Sequence, residues 1–173
     1  SGLGVTCNAL PQLASATDGL PVLFIIRSIL EKNTIDQAEQ FLREIPHASG
    51  QNYILSSRQE IRCLECSGGR VDRYAPKHQQ GRVFHTNHVL INPDSSEVAE
   101  LVDAKPNSSR ARLHSIETRL GNLSKRISLD DVKTALSAHD DPDNPVSRVI
   151  NPQNVASSIG YTAGSSIYEL GDT

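Results

Sequence analysis

The stretch Tyr53-Ile54-Leu55-Ser56-Ser57-Arg58-Gln59-Glu60-Ile61-Arg62-Cys63-Leu64-Glu65-Cys66 decides the fold. Two short apolar runs, Tyr53-Ile54-Leu55 and Ile61 to Cys66, flank the polar Ser57-Arg58-Gln59-Glu60. Runs this short around a polar turn read as a β-hairpin. Gly68-Gly69 turns the chain again, and Val71 to Tyr74 and Val83 to His85 are two further strand candidates.

Upstream the period is different. Residues 3–10 read as a strand, followed by a loop from Pro11 to Gly19. Val22, Ile25, Ile26, Ile29 and Leu30 then recur at helical spacing after Pro21, a residue suited to a first turn. Thr34 and Gln37 form a candidate capping box for a second helix, with Ile35, Ala38, Phe41, Leu42 and Ile45 on its buried face and Pro46 at its end. Downstream, residues 110–120 carry Leu113, Ile116 and Leu120 at helical spacing. Ser128-Leu129-Asp130-Asp131 opens a helix running to about His139, capped by Ser128. Val155 to Tyr161 and Ser165 to Leu170 are expected to close the chain as a hairpin. This order of strand, helices, strands, helices and strands predicts an α+β fold with a largely antiparallel sheet.

A length of 173 residues suits one domain. The net charge of −3 argues against nucleic acid as a partner, and with no Trp, four Tyr and three Phe there is little to stack on bases. No stretch approaches the roughly 20 apolar residues of a membrane span. Three cysteines, an odd number, argue against a disulfide framework and fit a reducing compartment, so a cytoplasmic protein is expected. Met is absent and Ser1 is the first residue, so the chain reads as a processed product or a fragment.

Three groups have chemical potential. Cys63 and Cys66 have CxxC spacing, but on a strand that spacing points the thiols to opposite faces, unpaired and without metal. Cys7 shares a face with Val5 and Ala9 and is expected in the core rather than as a nucleophile. His85-Thr86-Asn87-His88 lies between the apolar Val83-Phe84 and Val89-Leu90-Ile91. Such a cluster is either a set of hydrogen-bonded turn-formers or a site. Ser1 has one alternative reading, as a terminal nucleophile whose own amine acts as base; the other is a fragment boundary.

Five groups of residues stand out together: Gly2-Leu3-Gly4-Val5 with Asn8-Ala9-Leu10, Gly19-Leu20-Pro21-Val22 with Ile26 to Glu31, Leu64-Glu65-Cys66-Ser67, His85-Thr86-Asn87-His88 and Ser157-Ser158-Ile159. Together they resemble one family, the acyl-CoA:6-aminopenicillanic acid acyltransferases, or isopenicillin N acyltransferase-like proteins. The likeness is dense over residues 2–91, with the His-Thr-Asn-His run its most specific piece, and thin from 92 to 153.

The resemblance implies a four-layer αββα sandwich of the N-terminal nucleophile hydrolase type. It also implies a precursor that cuts itself before a cysteine. That cysteine attacks an amide or thioester carbonyl, and the acyl group passes to water or an amine. Asn87 would then help form the oxyanion hole, with His85, Thr86 and His88 beside it as substrate-binding residues. Arg148 matches a family arginine near the pocket, although the local run Pro145-Val146-Ser147-Arg148 lacks the family's cysteine. The family's nucleophile and its Asn-Trp-Asp-type motif precede the Gly-Leu-Gly-Val strand with which this chain begins. Residues 1–173 are therefore expected to be a single domain, the C-terminal portion of the sandwich with its N-terminal strands missing, and inactive alone. The implied partners are a small-molecule acyl donor and acceptor, plus a partner chain or second copy covering exposed sheet. No cofactor and no metal are expected. Two alternatives stand beside this reading: a non-catalytic binding or structural remnant, and a metal-binding module using His85, His88 and a carboxylate.

Overall fold

The computed structural model describes residues 2–75, 81–103, 108–121, 123–124, 126–149 and 161–171. They fall into two compact units, Ser1–Asn107 with Tyr168–Thr173, and Ser108–Ile167.

In the first unit β1 (Gly4–Ala9) leads to α1 (Val22–Leu30) and α2 (Ile35–Glu44), then to β2 (Gln51–Ser56), β3 (Ile61–Cys66), β4 (Val71–Tyr74) and the short α3 (Ala99–Asp103). The strands form a four-stranded antiparallel sheet in the order β1-β2-β3-β4. The hairpin has the expected turn: the Ser57 N–H donates to the Glu60 carbonyl at 2.9 Å, and the Ser57 hydroxyl accepts from the N–H groups of Gln59 and Glu60.

Strand side chains alternate, so each face has its own composition. Tyr53, Leu55, Leu64 and Cys66 share one face and pack with Ile25 and Ile29 of α1 and Ile35, Ala38 and Leu42 of α2. Burying each leucine or isoleucine side chain of this set contributes about 1.5–3 kcal/mol. The opposite face is polar at its centre. Asn52, Cys63 and Glu65 are all buried there, with the Cys63 thiol donating to Asn52 Oδ1 at 2.9 Å. Cys63 and Cys66 thus occupy opposite faces and are unpaired, as the strand period requires.

The helices start where their side chains can cap them. The Thr34 hydroxyl accepts from the Gln37 N–H at 3.2 Å, but the Gln37 side chain returns to the N–H of Asn33, one residue before the cap. After β3, Gly68 runs so close to the Ser15–Ala16 backbone that a Cβ would lie 2.6 Å from the Ser15 carbonyl carbon. There the Gly68 N–H donates to the Ala14 carbonyl at 2.7 Å.

The second unit contains α4 (Ser109–Ile116), continued by a π-helical turn at Glu117–Gly121, and α5 (Leu129–Leu136). Ser128 caps α5 reciprocally: its hydroxyl accepts from the Asp131 N–H, and the Asp131 carboxylate accepts from the Ser128 N–H. No helix among the described residues is long and apolar enough to cross a membrane.

Four expectations need correction. Val83 to His85 form no strand; they lie in a loop folded back on β3 through the side chain of Glu65. Ser165 to Leu170 form no strand either: residues 161–169 are exposed, and Leu170 reaches towards Gly4 of β1 without pairing with it. Its expected partner, Val155 to Tyr161, lies outside the described residues except for Tyr161, which is also not in a strand. Cys7 is exposed rather than in the core. Its parity is right, but β1 is an edge strand, and the apolar cluster covers only its start, at Leu3 and Val5. On α1, Leu30 is 47% exposed, as are Leu23 and Phe24 at 76% and 61%, because apolar residues run around more of that helix than the sheet can cover.

Candidate active site

Glu65 is the penultimate residue of β3, between Leu64 and Cys66, which face the helices. Alternation turns its carboxylate to the other face, where it is completely buried. A buried charge must find donors to replace lost water. Here Oε1 accepts from His85 Nε2 at 2.8 Å and from the Leu90 N–H at 2.7 Å, while Oε2 accepts from the N–H groups of Ile91 at 3.0 Å and Asn92 at 2.8 Å. Burial alone would raise this carboxyl. The His85 bond and the three backbone N–H groups outweigh it and hold Glu65 below the usual carboxylate range.

The sequence 85–92 is therefore a loop pinned at both ends to one carboxylate. His85 is further fixed by its Nδ1, which donates to the Thr86 carbonyl at 2.7 Å. Both ring nitrogens face oxygens, so the imidazole is held at both ends. Thr86 and His88 are buried, and the Thr86 hydroxyl lies 3.3 Å from His88 Nδ1. Asn87, between them, is half-buried and donates from Nδ2 to the carbonyl of Ala9, the last residue of β1, at 3.2 Å.

The far side of the loop is tied down as firmly. Asn92 Nδ2 donates to the Glu65 carbonyl at 3.0 Å, and Asn92 Oδ1 accepts from the Asp94 N–H at 2.9 Å. The Ser67 hydroxyl donates to the Asp94 carboxylate, and the Asp94 carbonyl accepts from the Ala14 N–H at 3.0 Å. Strand β3, its turn, the loop after β1 and the 85–94 segment thus form one hydrogen-bonded body.

His85, Thr86, Asn87 and His88 are brought together as the sequence suggests. Arg148 belongs to the second unit, where its guanidinium donates to the Ser108 hydroxyl and its backbone N–H to Thr162 Oγ1 at 2.9 Å. Glu65, Asn92 and Asp94 were not among the expected site residues. The signal for Glu65 was a lone carboxylate inside an apolar strand; the other two leave no comparable mark.

The metal alternative gains no support. Both ring nitrogens of His85 are already engaged, with Glu65 Oε1 and the Thr86 carbonyl, and the described residues contain no group of three or more His, Cys, Asp or Glu able to hold a metal ion. A cleft of about 500 Å³ elsewhere is lined by Asp36, Glu39, Arg43, Arg62 and Arg73 among others. It is an ion-pair network, with the Arg62 guanidinium against Asp36, Glu39 and Glu60.

No match is found among the curated proteins. The family model described as acyl-coenzyme A:6-aminopenicillanic acid acyl-transferase matches residues 1–171. That match covers nearly the whole chain and points to acyltransferase-type activity: the chain belongs to the acyl-coenzyme A:6-aminopenicillanic acid acyltransferase family.

Proposed function

We propose that this chain forms the oxyanion-stabilising part of an enzyme that transfers acyl groups from thioester or amide carbonyls of small molecules to an amine or to water. The observation that carries this reading is the Asn87 side-chain amide. It sits in a loop locked to a buried carboxylate, beside the end of β1, and its orientation is set by the bond from Nδ2 to the Ala9 carbonyl. A preorganised donor of this kind stabilises the negative oxygen of a tetrahedral intermediate without reorganising in the transition state. Beside it, Thr86, His85 and His88 would shape the wall on which the substrate lies; Arg148, in the second unit, is a separate candidate for substrate binding.

The nucleophile is the other requirement. Burial raises the Cys63 thiol to about 12 and pushes the Cys66 thiol up as well. Desolvation also raises the Cys7 thiol, although the residue as a whole is exposed. None of the three carries a neighbouring base in a described hydrogen bond. In this reading the attacking thiol comes from outside residues 1–173, is freed by self-cleavage of a precursor, and uses its own amine as base. Residues 1–173 would be one domain of an αββα sandwich of the N-terminal nucleophile type. The second sheet of that sandwich would be supplied by another chain or segment.

The experiment is to express the longest open reading frame that contains this chain, and separately residues 1–173. Each is assayed with acyl-CoA thioesters and amine acceptors, and acylated residues are sought by mass spectrometry. The longer protein should turn over, and residues 1–173 should not. Asn87→Ala in the longer protein should lower kcat by about 10²–10³, or ~2.7–4 kcal/mol, with the protein still folded. Turnover by residues 1–173 that is abolished by Cys7→Ala or Ser1→Ala would overturn the external nucleophile. Full activity of Asn87→Ala would overturn the oxyanion role.

A further inference from the structure

Resting on that reading of Asn87, we propose that Glu65 is a positioning residue for the oxyanion donor: one buried carboxylate closes the 85–92 loop and so fixes where the Asn87 amide points. The geometry is unusual for a simple staple. The same oxygen, Oε1, accepts from His85 at one end of the loop and from Leu90 at the other. The intervening residues are therefore held as a ring whose tip is Asn87. The second oxygen takes the next two N–H groups, of Ile91 and Asn92, so the chain leaving the ring is also fixed. Across the ring the Thr86 hydroxyl and His88 Nδ1 meet, leaving Asn87 between two buried side chains. The Glu65 backbone adds a further anchor, because its carbonyl accepts from Asn92 Nδ2.

A carboxylate can make these contacts where a neutral amide cannot. All four donors point at Glu65, and a glutamine would bring an NH₂ group against two of them. Loss of the anion should release the loop at one end or both. A donor displaced by about an ångström loses much of its value in the transition state and little in substrate binding, so the cost should appear in kcat.

The test compares Glu65→Gln with wild type and repeats the comparison in an Asn87→Ala background, using the longer active protein. We expect kcat to fall by no more than the ~10²–10³-fold that the donor itself is worth, with KM within about threefold. In the Asn87→Ala background the same substitution should cost little more. Equal losses in both backgrounds, or an unchanged kcat in a folded Glu65→Gln protein, would overturn the proposal. Glu65→Asp keeps the charge and should recover part of the loss; it carries the comparison if the glutamine variant does not fold. The readout independent of turnover is the Asn87 side-chain amide in the NMR spectrum of residues 1–173. It should shift and broaden in the Glu65 variant, and a sharp, unshifted signal would overturn the positioning role. Absence of turnover in the wild-type longer protein, with the Asn87 signal responding as expected, would instead locate the failure in the acyltransfer reading.

Discussion

A carboxylate without water keeps its charge only when donors replace the solvent, and at Glu65 the replacement is nearly complete. The consequence for pH has a definite sign. Because Glu65 is held below its usual range, its stabilisation is full above the unfolded value of about 4.3 and is lost as pH falls through the lower native value. Urea unfolding of wild type and Glu65→Gln should therefore differ most near neutral pH, with the gap narrowing as pH falls below the unfolded carboxyl value. A gap that does not move with pH would mean that the native carboxyl is not held low. The cysteines make a second contrast at this scale. Cys63 and Cys66 are buried and their thiols raised, so little thiolate forms and reagents cannot reach it. Under native conditions iodoacetamide should label Cys7 first, and peptide mass spectrometry would read the order. Early labelling of Cys66 would contradict its place in the core.

Secondary-structure elements carry local contributions that can be removed singly. Thr34 is the side-chain cap of α2, so Thr34→Ala should lower stability by about 0.5–2 kcal/mol in a denaturant titration, with an unchanged m-value. Gly68→Ala should cost more, because its Cβ would meet the Ser15–Ala16 backbone at 2.6–2.7 Å, and backbone cannot swing away as a side-chain end can. The same contrast explains what was legible in the sequence. β2, β3, β4, α1 and α2 could be read because their patterns are local: alternation, helical spacing, a capping threonine and a turn. Val83 to His85 reads as a strand in the sequence because three apolar or aromatic-like residues in a row look the same in a strand and in a loop. What decides between them is Glu65, some twenty residues away, together with backbone N–H groups that any residue supplies. Asn87 and its neighbours were found by motif likeness. The carboxylate that organises them, Glu65, lies within the same likeness, but nothing local in the sequence shows what it binds.

At the scale of the whole chain, the distribution of buried apolar side chains decides which part holds out longest against unfolding. Among the described residues, the first unit buries Leu10, Leu13, Ile25, Ile29, Ile35, Leu42, Tyr53, Leu55 and Leu64, all at 3% exposure or less. The second unit buries Leu113 at 8%, Leu120 at 6%, and two alanines, Ala135 and Ala138. Alanine contributes little apolar area, so the second unit gains far less on folding for each residue it orders. Amides of β2 and β3, paired on both sides within the sheet, should therefore exchange through the largest opening, and those of α4 and α5 through smaller ones. Hydrogen exchange followed by peptide mass spectrometry would read this directly. Leu64→Ala leaves a cavity in the dense cluster and should cost about 2–5 kcal/mol, accelerating exchange throughout β2 and β3. Leu113→Ala, at a site already in contact with solvent, should cost less and leave β2 and β3 protected. Equal protection of α5 and β3, or loss of β3 protection in Leu113→Ala, would show that the two units do not differ in stability as their cores require.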